Sequence, residues 1–188
     1  MGRIRYGLSN LHYAEATEGA GGALTYGTPE KIPGAKNMQF TAAGADIAES
    51  ADNTTWYAGK TNDGYTGSIE FEDTAAADAF IENVNGMTKA QNGLVVEKAD
   101  DVHKEFAVLG QMELAGGVEV AKRLCFYRCV ASRPDINAQS KEIGGMTIAT
   151  NVVNITALPR INDKAVKGSA VSTDTIYGTF FSAVPEAA

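Results

Sequence analysis

The chain has 188 residues, enough to bury one good core, and 44% of them are hydrophobic, a composition that points to neither a disordered nor a membrane-spanning protein. Its net charge is −7 and its pI about 4.8, the wrong sign for a protein that grips nucleic acid by neutralising phosphates. One soluble domain over 1–188 is expected, since no apolar leader follows Arg3 and Arg5 and no run approaches the roughly 20 apolar residues of a membrane helix.

In chain order, RIRYGLSNLHYAE at 3–15 opens an N-terminal arm that extends to about residue 36. Tyr6, Leu8, Leu11 and Tyr13 make it apolar enough to dock, yet the sequence offers no obvious intramolecular target. EGAGG at 18–22 and the prolines of YGTPEKIPGA at 26–35 read as extended or looped chain. A short strand is predicted at 37–42, then a long loop over 43–63 that holds a further strand at 54–58. Acidic and small residues surround Trp56 and Tyr57 there, so the pair reads both as an interface anchor and as a cap on its own core.

Residues 64–72, GYTGSIEFE, alternate cleanly, with Tyr65, Gly67, Ile69 and Phe71 on one face and Thr66, Ser68, Glu70 and Glu72 on a wet one. A helix follows over about 74–85, with Asp73 or Thr74 as N-cap, a stripe of Ala77, Phe80, Ile81 and Val84, and Gly86 just past its end. Strands are predicted at 94–98, at 104–114 with Glu105 and Glu113 at the ends of its mixed face, at 120–133, at 147–157 and at 165–171. The 120–133 strand places Leu124, Phe126 and Val130 on one side and Cys125, Tyr127, Cys129 and Ala131 on the other, the pattern of a central strand covered on both faces. The C-terminal extension, 172–188, is expected to be mobile unless a neighbour holds it. These elements predict a mainly β protein: a two-sheet sandwich or partly closed barrel carrying one helix on its flank.

The sequence supplies little catalytic grammar. EGAGG lacks the flanking strand, helix and Lys-Ser/Thr ending of a phosphate loop, and no Ser sits in a nucleophile elbow. Cys125 and Cys129 in a strand stand about 13 Å apart, beyond the roughly 7 Å reach of a disulfide, so both are expected as free, buried thiols. No catalytic residue, cofactor or metal site is predicted, and the protein is expected not to be an enzyme.

Taken in order, RIRYGLSNLHYAE, YGTPEKIPGA, NDGYTG at 62–67, FYRCVASRPD at 126–135 and ITALPR at 155–160 resemble the major tail tube protein of long-tailed phages of Gram-positive bacteria. The resemblance implies a sandwich with a flanking helix and hexameric rings stacked into a tube, with one sheet of each subunit joined edge to edge around a lumen. Its implied partners are further copies of the chain, tape-measure and tail terminator proteins, and DNA that passes without tight binding; its implied place is the virion tail, after synthesis in the host cytoplasm. On this reading Tyr6, Leu8, Leu11, Tyr13, Trp56 and Tyr57 are candidate contacts between subunits, and Glu70, Glu72, Glu105 and Glu113 candidate lumen residues. Deleting 1–13 is then expected to spare folding and impair tube growth. The alternative is a β-sandwich module that binds carbohydrate or a cell-surface ligand on Trp56 and Tyr57.

Overall fold

A computed structural model describes residues 3–136 and 150–186, and the chain is mainly β with one α-helix. The strands before the helix are β1 (Ile4–Glu18), β2 (Leu24–Tyr26), β3 (Glu30–Lys31), β4 (Ala35–Ala43), β5 (Asp46–Ala51), β6 (Thr54–Lys60) and β7 (Gly64–Glu72). Helix α1 (Ala75–Val84) is followed by β8 (Thr88–Lys89), β9 (Val95–Val96), β10 (Phe106–Ala115), β11 (Ala121–Ala131), β12 (Thr150–Leu158) and β13 (Lys167–Val171). The first three residues of the 147–157 strand lie outside the described residues.

An antiparallel sheet runs β2-β1-β10-β11-β12-β7-β4, with β3 beside β1 and β13 beside β11. The sheet folds over on itself in the manner of a sandwich. Phe40 of β4 stacks on Phe126 of β11 with ring centroids 4.2 Å apart, and Met38 lies against Gly110 of β10. Among the described residues no ladder joins β4 to β1 or β2, so no barrel closes.

The helix forms where its local signals place it. Thr74 caps it by accepting the Ala77 amide at 3.2 Å, and Ala77, Phe80 and Val84 bury the stripe. Phe80 meets Tyr13, Phe71 and Phe106 edge-on, at centroid distances of 4.8, 5.9 and 5.6 Å, so α1 is pinned to β1, β7 and β10 together. Thr74→Ala is expected to cost about 1 kcal/mol, read as a lower midpoint in chemical denaturation; an unchanged midpoint would refute the cap.

Two glycines explain NDGYTG. Gly64 has φ +101°, and a Cβ there would meet the Ala157 carbonyl oxygen; one at Gly67 would meet that of Gln39. The phrase thus starts β7 between β12 and β4, where backbones approach too closely for a side chain.

Several expectations are corrected. The N-terminal segment is no free arm: β1 pairs with β10 from Ile4 to Glu15, and Leu11 and Tyr13 are 0% and 4% exposed in the main core. The stretch 14–36 continues β1 and returns as β2 and β3, with Ile32 buried beside Leu11 and bonded to its carbonyl at 2.8 Å. Cys125 and Cys129 do not share a face. Phe106 opposes Cys129 while Val108 opposes Phe126, so β11 carries one extra residue, and this bulge turns Cys129 into the main core and leaves Cys125 in a second cluster. The C-terminal segment is held by its own chain: Phe180 and Val184 close that second cluster over Leu109, Cys125 and Tyr127.

Candidate functional site

Two exposed features stand apart from the cores. The first is the β5–β6 hairpin, the ordered form of the long loop predicted at 43–63. Asp52 and Asn53 form its turn, both with positive φ (52° and 61°), the geometry that lets a tight turn follow the strand twist. Its base is closed by the Thr61 amide donating to the Ala45 carbonyl at 3.0 Å and the Ala45 amide donating to the Thr61 hydroxyl at 2.7 Å. Beyond that base the hairpin pairs with itself, and Trp56 and Tyr57 are 72% and 56% exposed. Register puts Ile47 and Glu49 on the face of Tyr57 and Gly59, and the ladder slips at Trp56, which lies between the paired residues Thr55 and Tyr57. Neither aromatic belongs to a core cluster of the chain.

The second feature is the outer face of β12, β7 and β4. Register aligns Thr156, Thr66 and Thr41 across the three strands, then Asn154, Ser68 and Gln39, then Val152, Glu70 and Asn37. An open groove of about 500 Å³ runs over the first two rows and reaches Ser132. Glu70 accepts the Thr150 hydroxyl at 2.7 Å, and Glu72 is paired with Lys36 at 2.9 Å. The wall is therefore short, polar and mainly uncharged, with its acid at one end. β4, at its margin, pairs with β7 alone among the described strands, leaving its other edge without a ladder.

The four nominated glutamates do not share a surface. Glu70 and Glu72 belong to this wall, whereas Glu105 pairs with Arg128 at 2.6 Å and Glu113 accepts from Ser9 and Gln111 at 2.8 and 2.9 Å in the other half of the sheet. Of the nominated contact residues, Tyr6, Trp56 and Tyr57 are exposed and Leu8 is half-buried, while Leu11 and Tyr13 are core and unavailable to a neighbour.

Sequence reading missed Arg160, the last residue of ITALPR. It is nearly buried and lies over the Tyr127 ring at 4.5 Å. It binds Asp163, and its Nη1 donates to both Glu186 carboxylate oxygens at 2.7 Å. Burial works to lower its pKa, but Asp163 and Glu186 outweigh that and raise it; Arg160 in turn holds the Asp163 carboxyl low. The only sequence hint was the acidic residue three positions on. His12 stacks on Phe181 at 4.5 Å, and burial lowers its pKa. Burial raises both cysteine thiols, so neither is poised as a nucleophile.

Among the described residues, no three His, Cys, Asp or Glu side chains gather into a metal-binding cluster, and no helix is long and apolar enough to cross a membrane. No protein-family model matches the chain, and no curated protein matches it in sequence.

Proposed function

We propose that the protein is a structural subunit of a phage tail tube: copies close into hexameric rings, and the rings stack into a conduit through which DNA leaves the virion. The observation that carries this reading is the β12-β7-β4 wall, a polar sheet face bounded by an edge of β4 that no described strand pairs. An open edge is an aggregation hazard in a monomer and a joint in a closed ring.

The chemistry of the wall suits a lumen. Thr, Ser, Asn and Gln offer phosphates no fixed cation, Lys36 is neutralised by Glu72, and the remaining Glu70 repels. Repulsion acts within the roughly 8 Å over which charges are felt at physiological salt, so DNA would slide rather than stick. The lining is drawn from β4, β7 and β12, with Glu70 and Glu72 among its residues; Glu105 and Glu113, committed to other partners, are not part of it.

Negative-stain microscopy of the concentrated protein tests the proposal. Rings or tubes of uniform bore are expected. A protein that stays monomeric at every concentration, above all one retained on a carbohydrate matrix through Trp56 and Tyr57, would overturn it in favour of a binding module.

A further inference from the structure

Glu15, Asn83 and Lys104 come from three separate segments of the chain, and their hydrogen bonds interlock. Glu15 follows Tyr13 by two residues on β1, on the face that Tyr13 turns to Phe80 of α1. Asn83 stands on α1 beside the buried Val84, and the Lys104 amide donates to the Val84 carbonyl at 2.9 Å, which holds the chain entering β10 against the end of the helix. Lys104 Nζ lies 2.9 Å from Glu15 Oε1 and donates to Asn83 Oδ1 at 2.8 Å, while Asn83 Nδ2 donates to Glu15 Oε2 at 3.2 Å. An ammonium only donates and an ionised carboxylate only accepts, so these two partners fix which way the amide points.

A half-buried Lys–Glu pair contributes little by itself. The amide between them makes the cluster a reaction centre, because it sets an amine at a carbonyl and a carboxylate at both the amine and the amide nitrogen. With Nζ at 2.8 Å from Oδ1 and Cγ one C=O bond, about 1.2 Å, behind it, the reacting atoms stand close to the separation of about 3–3.5 Å from which attack begins.

We propose that Lys104 and Asn83 condense into an isopeptide bond within the chain, with Glu15 carrying the proton. Lys104 gives one proton to Glu15, and the freed lone pair of Nζ attacks Cγ of Asn83. Glu15 returns that proton to Nδ2 as the Cγ–Nδ2 bond breaks. The second proton shed by Nζ departs with the ammonia as ammonium, so Glu15 ends as it began and nothing is oxidised or reduced. At rest the pair is ionic, and Lys104 holds the Glu15 carboxyl low. The attacking form is therefore a minor tautomer and the reaction is slow, but it has to occur only once in each molecule. The bond closes residues 83–104 into a ring and fastens α1 to the segment entering β10. That constrains the unfolded chain as a disulfide would, in a protein whose two cysteines are buried and free. The inference concerns the single chain and holds whether or not copies assemble.

Intact-mass spectrometry of the full chain, sampled from purification onward over prolonged incubation, is expected to show molecules lighter than the unreacted chain by one ammonia. A tryptic digest is expected to yield residues 61–89 joined to 99–122, uncut after Lys104. Lys104→Arg and Asn83→Ala alter half-buried positions and are expected to fold, to keep their full mass and to give no joined peptide. Glu15→Gln keeps the shape of the side chain but takes up no proton, and is expected to slow joining about a hundredfold. The unaltered chain decides the matter without any variant: full mass throughout the incubation overturns the proposal, and so does loss of ammonia without the joined peptide, the signature of a succinimide at an asparagine. Joining in folded Glu15→Gln at the parent rate would overturn the role of Glu15 and the three-residue mechanism with it.

Discussion

Deleting residues 1–13 is expected to abolish folding, whereas replacing 46–60 with Gly-Gly is expected to leave it intact and abolish the proposed assembly. The first deletion removes most of β1, its ladder with β10, and the buried Leu11 and Tyr13. Truncating one large core side chain costs about 2–5 kcal/mol, and a domain of this kind has about 5–15 kcal/mol in all. Losing two such side chains together with a strand that Phe80 packs against leaves too little for a cooperative transition. The second deletion removes a hairpin that contributes no residue to either core, and its base is already closed by Ala45 and Thr61. Circular dichroism and thermal melts separate the two. A cooperative melt from the 14–188 fragment would mean that β1 is dispensable, and polymer growth without the hairpin would remove it from the assembly contacts.

That contrast reverses the expectation drawn from sequence, and the cause lies in β1 itself. A strand shows in sequence through alternation, but β1 buries Leu11 and Tyr13 and half-buries Leu8, spacings of three and two. Gly7 and Asn10 have positive φ (63° and 51°), and the register with β10 slips beside each of them. Each slip shifts the inward face by a residue, so a paired strand reads as an aperiodic arm. The bulge in β11 hides the separation of Cys125 from Cys129 in the same way. Where signals are local, the sequence is legible: Thr74, the Phe80 stripe and Gly86 lie within thirteen residues and delimit α1, and the alternation of β7 is unbroken. The candidate site divides similarly. Glu70 and Glu72 were legible as a wet strand face, but the rows of Thr, Ser, Asn and Gln they adjoin exist only through pairing of β7 with β12, more than 80 residues away.

Phe180→Ala is expected to open the second cluster and expose one cysteine of the two. Phe180 is fully buried against the β10–β11 face, and it brings the adjacent Phe181 against His12 and Arg123. Arg123 lies over the rings of both Tyr177 and Phe181, and Arg160 holds Glu186 farther along, so the segment is fastened at its ends by cations and in its middle by apolar packing. Removing the Phe180 ring costs about 3–5 kcal/mol. If the segment opens locally, that loss raises its open population at least a hundredfold, since about 1.4 kcal/mol is a factor of ten. Cys125 lies directly beneath the segment and Cys129 in the other core, so a thiol reagent under native conditions is expected to label Cys125 far faster than in the parent protein and to leave Cys129 protected. Mass spectrometry of the labelled peptides reads the ratio. Equal labelling of both cysteines would mean that the two cores open as one unit and that the C-terminal segment has no local stability of its own.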